Sequence, residues 1–276
     1  MKHYTMPDPI RAARMNTAEL RSSFLIEGLF TPGRLHLVST DLDRAIVGGA
    51  VPMNTSLSLS AGPEMRAGFF CKQRELGVLN IGGHGTVLVD GQSHPMHRLD
   101  CLYIGRGSRE VIFASTASTD PARFYLVSYP AHAVFPSQLA THQSSAALRL
   151  GSQTTVNERS LYKRIYPDGI ASCQLVMGYT LLDEGSSWNT MPPHTHQRRS
   201  EIYMYFDLDA SQRILHVMGD PRETRHLFVG PEEVVLSPAW SVHAGAGTTR
   251  YGFCWAMGGE NQAFDDMDAV AIAELR

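Results

Sequence analysis

The sequence predicts an all-β protein, and three observations carry that prediction. After about residue 35, short apolar runs are interrupted by Gly, Pro and Asp at intervals of roughly ten residues, which is typical of antiparallel barrels and sandwiches. The same pattern returns after about residue 170. The composition, with 43% hydrophobic and 18% charged residues in a chain of 276, allows a full core and excludes disorder as the main state. We therefore expect two β-rich halves.

The first half begins with a helical signal and continues with strands. A cap-forming Asn16 and an early acid, Glu19, precede apolar residues, which predicts the start of a short N-terminal helix. Asp90-Gly91 predicts a tight hairpin turn. Strands are predicted at residues 35–38, 45–51, 78–81, 86–89, 102–104 and 111–113.

A polar stretch separates the two halves. Residues 136–157 are rich in Ser, Thr, Gln and Ala and contain no long periodic apolar run, so we expect a linker there. The domain boundary is predicted near residue 150, which gives domains 1–150 and 151–276. Strands of the second half are predicted at residues 172–182, 202–208, 214–218, 224–229, 233–236 and 250–257. The similar halves suggest a duplicated barrel, although no fixed-period repeat is visible.

Composition also excludes several classes of protein. A formal net charge of -3 supplies no broad positive surface for nucleic-acid binding, so a small-molecule or protein partner is expected. No apolar run has signal-peptide length or approaches the ~20 residues that span a bilayer, so we expect a cytoplasmic protein without a membrane partner. The four cysteines form no CxxC pair and are expected to be reduced thiols.

The strongest local signal is a group of potential metal ligands. His194 and His196 are two residues apart, so in a strand both imidazoles point to the same face. Glu201 begins the next predicted strand, and His243 follows a turn set by Pro238. Three neutral nitrogens and one carboxylate oxygen make a site for a divalent transition metal with room for substrate oxygens. Without Glu201 and His243, the two histidines would be interpreted first as a polar surface pair on an edge strand, because HxH alone often occurs by chance.

The spacing of these ligands matches a known signature. HxHx4E followed by PxWxxH resembles both halves of the cupin metal motif, and cupins are jelly-roll barrels. In the first half, the corner Gly105-Arg106-Gly107 stands where a metal-binding cupin would need a histidine. His94 and His97 have a poor same-face spacing. We therefore predict a first barrel without metal and one divalent metal per chain, held by the second barrel.

Longer segments narrow this resemblance. WNTMPPHTHQRRSEIYMYF, MGDPRETRHL, SPAWSVHAGAGT, GGENQAFDDMD and, in the first half, VDGQSHPMHRLDCLYIGRGSREVIFAS closely resemble the 5-keto-4-deoxyuronate isomerase family, also called the 4-deoxy-L-threo-5-hexosulose-uronate ketol-isomerases. The resemblance covers essentially the whole chain. It implies a bicupin of two jelly-roll barrels, Zn²⁺ on His194, His196, Glu201 and His243, and a homohexamer. His84, His94 and His97 depart from the residues common in that family, and their roles stay open.

The resemblance also implies a reaction. It is the conversion of 5-dehydro-4-deoxy-D-glucuronate, a deoxy-keto-uronate, to 3-deoxy-D-glycero-2,5-hexodiulosonate in pectin and uronate breakdown. This aldose–ketose isomerisation needs a proton shuttle, for which Glu260 is the candidate. Arg198 and Arg199 are candidates for binding the substrate carboxylate, and Tyr203 shares the strand phase of Glu201. Each has a structural alternative, as a turn acid, a solvated or interface arginine, or a core tyrosine.

Three rival functions remain at this point. 5-Deoxyglucuronate isomerase of inositol breakdown is a related bicupin with similar chemistry. A histidine-rich cupin centre can also hold Fe(II) and activate oxygen, as in a dioxygenase. A sugar-binding or storage cupin would retain a sugar without converting it. The extent of the motif agreement favours the deoxy-keto-uronate isomerase.

Overall fold

A computed structural model describes residues 1–144, 146–260, 262–263 and 266–276. Two short helices lie near the start, α1 (Pro9–Ala12) and α2 (Thr17–Phe24). The predicted cap is confirmed, because the Asn16 side chain accepts from Glu19 N and the Glu19 carboxylate accepts from Asn16 N. No helix in these residues is both long and apolar enough to span a membrane.

Strands make up most of the remaining regular structure. Up to residue 150 they are β1 (Lys2–Tyr4), β2 (Leu25–Ile26), β3 (Leu35–Thr40), β4 (Ile46–Ala50), β5 (Leu57–Ser58), β6 (Arg74–Asn80), β7 (Gly85–Val89), β8 (Gln92–Met96), β9 (Cys101–Ile104), β10 (Val111–Ser115), β11 (Phe124–Pro130), β12 (Gln138–Ala140) and β13 (Leu148–Leu150). The later strands are β14 (Arg159–Ile165), β15 (Val176–Leu182), β16 (Trp188–Asn189), β17 (His194–Thr195), β18 (Arg199–Phe206), β19 (Ile214–Asp220), β20 (Glu223–Val229), β21 (Val234–Ser237), β22 (Val242–Gly247), β23 (Gly252–Gly259) and β24 (Asp268–Ala269). Short 3₁₀ turns occupy Leu42–Arg44, Pro63–Met65, Phe70–Lys72, His142–Ser144, Gln153–Thr155 and Ile272–Glu274.

The chain divides into two compact units. The first unit contains Met1–His3, Gly28–Ala146 and Arg164–Met177, and the second contains Tyr4–Glu27, Ala147–Lys163 and Gly178–Arg276. Each unit therefore includes a segment from the other half of the sequence. The N-terminal segment belongs to the second unit because β2 pairs with β21 there.

The two units have the same strand order. The first has a seven-stranded sheet, β1-β3-β4-β11-β6-β9-β12, and a four-stranded sheet, β5-β10-β7-β8. The second has a seven-stranded sheet, β13-β14-β15-β23-β18-β21-β2, and a four-stranded sheet, β16-β22-β19-β20, with β17 and β24 forming a separate pair. This agreement supports the duplicated barrel that the sequence suggests.

The core of the first unit lies between its two sheets. Side chains from both sheets share one buried cluster, in which Leu76 and Val78 of β6 meet Val87 of β7 and Phe113 of β10. The predicted hairpin is confirmed between β7 and β8. Asp90 and Gly91 have φ values of 48° and 84°, the left-handed conformation that a two-residue hairpin of matching twist requires.

Two sequence predictions differ from the structure. The strand expected at 172–182 begins only at Val176, in β15. The residues before it are held by Glu75, a fully buried side chain of β6. Its carboxylate accepts from the backbone N–H groups of Cys173 at 2.7 Å, Gln174 at 2.9 Å and Leu175 at 2.8 Å. The stretch 136–157, expected to be a linker, contains the short strands β12 and β13.

Glu75 also accepts a fourth hydrogen bond. The Tyr103 hydroxyl lies 2.9 Å from its carboxylate. Burial, together with the Glu75 carboxylate, raises the pKa of Tyr103 well above its usual value, so this hydroxyl stays protonated and donates. A carboxylate is acceptor-only and suits four donors, whereas an amide would turn its own N–H groups toward some of them.

We predict that Glu75→Gln lowers the free energy of unfolding by about 1–3 kcal/mol for each donor left without an acceptor. Chemical denaturation measures this change. Glu110→Gln is the matched control, because Glu110 is exposed in the same unit and a surface substitution shifts stability by about 0.5 kcal/mol at most. Equal stability of the two variants would show that the Glu75 carboxylate is not required.

Candidate metal centre

Three strands bring the predicted metal ligands together. His194 lies on β17, Glu201 on β18 and His243 on β22, and His196 lies in the turn between β17 and β18. β18 belongs to the seven-stranded sheet of the second unit and β22 to its four-stranded sheet. The ligands therefore come from both sheets and meet in the interior of that unit.

The four donor atoms converge closely. The Nε2 atom of His194 lies 3.1 Å from that of His196 and 3.1 Å from that of His243. Glu201 Oε2 lies 3.1 Å from His196 Nε2 and 3.0 Å from His243 Nε2. All four ligand atoms lie within 4.8 Å of one another, and three of the four residues are buried. His194 is the partly exposed member.

This arrangement fits a metal ion better than it fits hydrogen bonding alone. Each neutral imidazole nitrogen either donates or accepts, so the four contacts of 3.0–3.1 Å among these atoms cannot all be hydrogen bonds. A divalent cation accepts the lone pairs of all four at once. Three imidazole nitrogens and one carboxylate oxygen suit Zn²⁺ and its first-row neighbours. The residues present therefore fit a divalent metal.

The electrostatics of the site keep the donors in the required states. Burial lowers the pKa of His194 to about 3, and His243 beside it adds to this effect, so the imidazole is neutral and has a free lone pair. Burial opposes ionisation of Glu201, but His243 and His196 outweigh burial and hold the pKa of this carboxyl well below its usual value. Glu201 is therefore a carboxylate.

Arg199, a candidate for binding substrate carboxylate, lies beside a metal ligand and also lines the cavity at the ligands, and its role in substrate binding stays a prediction. Its side chain is 2% exposed, and its Nε lies 3.3 Å from His196 Nδ1. Its guanidinium forms an ion pair with Asp266, whose Oδ1 lies 3.6 Å from the same His196 Nδ1. A ring that offers the Nε2 lone pair to a metal carries its proton on Nδ1, where it cannot accept from Arg199, and Asp266 is the adjacent carboxylate toward which this N–H can point.

Arg198 and Glu260 pair with each other at the surface. Arg198 Nε donates to Glu260 Oε2 at 2.8 Å, and the two side chains are 65% and 69% exposed. The hydrogen bond from Arg198 lowers the pKa of Glu260, the opposite of the shift that a proton shuttle near neutral pH needs. Neither residue is among those lining the cavity at the ligands. Their assigned roles stay predictions, and the geometry supports neither.

Tyr203 does lie at the site. It is buried and lines the cavity, its hydroxyl is 3.2 Å from Thr190 Oγ1, and its ring centroid is 5.4 Å from that of His243. Burial, reinforced by the charge of Glu201, raises the pKa of Tyr203 well above its usual value. Its hydroxyl is therefore a neutral hydrogen-bond donor next to the ligands.

A cavity of about 480 Å³ opens onto the ligands. Its walls are mostly apolar, and include Leu161, Phe253, Trp255 and Met257. Two cationic residues that the sequence reasoning missed, Arg159 and Lys163, also line it. Their spacing in the sequence could have indicated this placement. Arg159, Leu161 and Lys163 are each two residues apart, and residues i, i+2 and i+4 of a strand share a face.

Known proteins of one family are similar to this chain along most of its length. The model of the KduI/IolB family matches residues 28–273. The chain belongs to the KduI/IolB family. A relative from Halalkalibacterium halodurans, named 4-deoxy-L-threo-5-hexosulose-uronate ketol-isomerase, is 46% identical over 275 residues, which is 100% of this chain and 99% of the relative. A relative of the same name from Shouchella clausii is 50% identical over 260 residues, 94% of each chain.

Solved structures agree on the fold of this KduI/IolB family member. An IolB-like protein from Salmonella typhimurium LT2 superposes with a TM-score of 0.71 at 14% identity, covering 90% of this chain and 96% of the other. Bacillus subtilis oxalate decarboxylase superposes with a TM-score of 0.54 at 12% identity, covering 79% and 70%. The predicted all-β cupin architecture is confirmed.

The first unit of this family member differs at the ligand positions. Glu201 pairs with Ser237, the last residue of β21, and the corresponding residue of β6, Leu76, pairs with Ile104, the last residue of β9. Leu76 is a buried core residue. Among the residues that the structure describes, only the His194 group brings three or more His, Cys, Asp or Glu ligand atoms together.

The sequence leaves the roles of three histidines open, and all three lie in the first unit: His84, His94 and His97. His84 and His97 are exposed, and His84 Nε2 lies 3.2 Å from His97 Nδ1. His94 is buried on β8, and burial lowers its pKa. The structure therefore groups His84 with His97 and separates His94 from both.

We predict that His194→Ala, His196→Ala, Glu201→Ala and His243→Ala each reduce retained metal while leaving the β structure assembled, because the barrel core is apolar. Metal analysis with circular dichroism measures both properties. His226→Ala, an exposed histidine of the same unit, is the control and should keep its metal. Full metal content in two of the four variants would contradict the ligand assignment.

We also predict that Asp266→Asn weakens metal binding about 10–100-fold, because the negative charge 3.6 Å from His196 Nδ1 is lost. Competition with a chelator measures the affinity. Asp268→Asn, an exposed acid on β24, is the matched control. An unchanged affinity in Asp266→Asn would mean that Asp266 does not support His196.

Proposed function

We propose that the protein is a metal-dependent 4-deoxy-L-threo-5-hexosulose-uronate ketol-isomerase, which converts 5-dehydro-4-deoxy-D-glucuronate to 3-deoxy-D-glycero-2,5-hexodiulosonate in uronate breakdown. One observation carries the proposal. The four ligand atoms of His194, His196, Glu201 and His243 converge on a cavity in a chain that matches relatives of that name along essentially its whole length.

The reaction moves a proton between neighbouring carbons of a sugar. A proton leaves the carbon that bears a hydroxyl, and a proton is added at the adjacent aldehyde carbon. The hydroxyl proton is transferred to the former aldehyde oxygen, so the aldehyde becomes an alcohol and the former alcohol becomes a ketone. A divalent metal held by the four ligands supplies Lewis-acid stabilisation of the negative charge that develops on these oxygens.

The residues around the ligands orient the substrate and limit access of water. The Tyr203 hydroxyl holds its proton and can donate a hydrogen bond to a substrate oxygen. The apolar walls formed by residues such as Phe253, Trp255 and Met257 lower the local dielectric and strengthen the polar interactions within the cavity. Glu201 is the one carboxylate among the described residues that line this cavity. The acidic group of the cavity is therefore one of the four proposed metal ligands.

The same proposal includes the identity of the metal, the assembly and the location of the protein. The metal is proposed to be Zn²⁺, which the donor set suits. The assembly is proposed to be a homohexamer and the location cytoplasmic, both from the resemblance and the composition of the sequence. Metal analysis of purified protein and its mass in solution test the first two.

5-Deoxyglucuronate isomerase is a second candidate, because the matching family model covers both KduI and IolB proteins and an IolB-like structure has the same fold. That structure shares 14% identity, whereas the ketol-isomerase relatives share 46% and 50%. This difference in sequence identity favours the deoxy-keto-uronate as the substrate. A dioxygenase would need oxygen and Fe(II), and consumption of oxygen would identify it.

We predict conversion of 5-dehydro-4-deoxy-D-glucuronate to the diulosonate under anaerobic conditions by the metal-loaded protein. In deuterated water, solvent deuterium should enter the product at the former aldehyde carbon, because a protein group carries the proton. Mass spectrometry and NMR detect product and label. A lack of conversion with a filled metal site would exclude the proposed reaction, and product without label would favour hydride transfer.

A further inference from the structure

We infer that Arg159, assisted by Lys163, forms a carboxylate-binding site in the cavity of the metal centre, and that its ligands are uronates, sugars with a terminal carboxylate. This inference rests on the proposed function and deepens it. The substrate name describes a six-carbon chain with an aldehyde at one end and a carboxylate at the other. An enzyme for this substrate needs a cationic site in addition to the metal ligands.

Arg159 and Lys163 are placed on the wall of the cavity by their strand. Both lie on β14, four residues apart, with Leu161 between them on the same face. All three line the cavity that also contains His194 and Glu201. The two cations and the metal ligands therefore face one volume of about 480 Å³.

Arg159 lacks an acidic partner among the residues that the structure describes. Its Nη1 donates to the backbone oxygen of Asn157 at 2.8 Å, and it forms no ion pair with any described acid. Burial lowers its pKa, and the neighbouring hydroxyls of Tyr203 and Tyr251 partly oppose this shift. A half-buried guanidinium without an anion is unfavourable. A bound carboxylate would supply the missing charge and could accept two parallel N–H bonds.

The other arginines near the site already have acids. Arg198 pairs with Glu260, and Arg199 pairs with Asp266. These pairs leave Arg159 as the cavity arginine that is available to an incoming carboxylate.

Arg159 and the metal ligands come from different strands of one cavity. Arg159 lies on β14, whereas His194 lies on β17 and Glu201 on β18, and all three line the same volume. A cationic side chain and a group of metal ligands on different strands suit a substrate that carries both a reacting aldehyde and a carboxylate.

The test measures binding of two probes to the metal-loaded protein by calorimetry. D-Galacturonate carries a terminal carboxylate, and D-galactose is its neutral counterpart. The wild-type protein should prefer galacturonate, and Arg159→Met should remove the preference by weakening galacturonate binding about 30-fold or more. Lys163→Met should have a smaller effect. Arg159→Lys should retain part of the preference, because lysine keeps the positive charge but loses the pair of parallel N–H donors of the guanidinium.

Arg213→Met is the matched control, since the Arg213 side chain is exposed in the same unit and its guanidinium donates to the nearby backbone oxygens of Ala210 and Gln212. With the deoxy-keto-uronate, Arg159→Met should raise KM by a similar factor while kcat changes little, as expected for loss of uniform binding. Metal content confirms that each variant is intact. A galacturonate preference that persists in Arg159→Met, or that is missing from the wild-type protein, overturns the inference. Arg159-dependent galacturonate binding without isomerisation would support this site and reject the proposed reaction.

Discussion

The burial of an ionised carboxylate, Glu201, is the constraint on which the second unit depends. Removing a carboxylate from water costs several kcal/mol unless cations or donors surround it. His196 and His243 approach it at 3.1 Å and 3.0 Å, and Asp266, paired with Arg199, lies 3.6 Å from the Nδ1 atom of His196. A divalent metal would complete this compensation. The chain must therefore bring two sheets, a turn and Asp266 close together.

In the first unit an apolar residue occupies the strand position of Glu201. Leu76 takes the place on β6 that Glu201 takes on β18 and packs into an apolar core between the sheets. Its neighbour Glu75 is also buried, but four donors surround its carboxylate and fix the chain before β15. This buried carboxylate is thus satisfied by three backbone N–H groups and the Tyr103 hydroxyl and has a structural role. The other is arranged among imidazoles, which leaves it able to bind a metal.

Ion pairing divides the cationic residues of the second unit into two groups. Arg198 and Arg199 are adjacent in sequence, but Arg198 is exposed in the turn before β18, whereas Arg199 is buried as the first residue of that strand. Each finds an acid near the C-terminal end of the chain, Glu260 or Asp266. Arg159 comes from a different strand and faces the apolar cavity with no acid of the described chain beside it. Substrate recognition would then depend on a residue 35 positions before the first metal ligand.

Local sequence determined the features that depend on spacing along the chain. The cap at Asn16, the Asp90-Gly91 hairpin, the pattern of short strands and the same-face placement of His194 and His196 could be predicted, because turn conformation and strand alternation act over a few residues. Only the tertiary structure decided which side chains share a cavity and which charges are neutralised. It paired Arg198 with Glu260, directed Arg199 to His196, added Arg159 and Lys163 to the cavity and placed Tyr4–Glu27 in the second unit. These outcomes depend on contacts between residues far apart in sequence, and spacing along one strand carries no information about the partner that another strand will present.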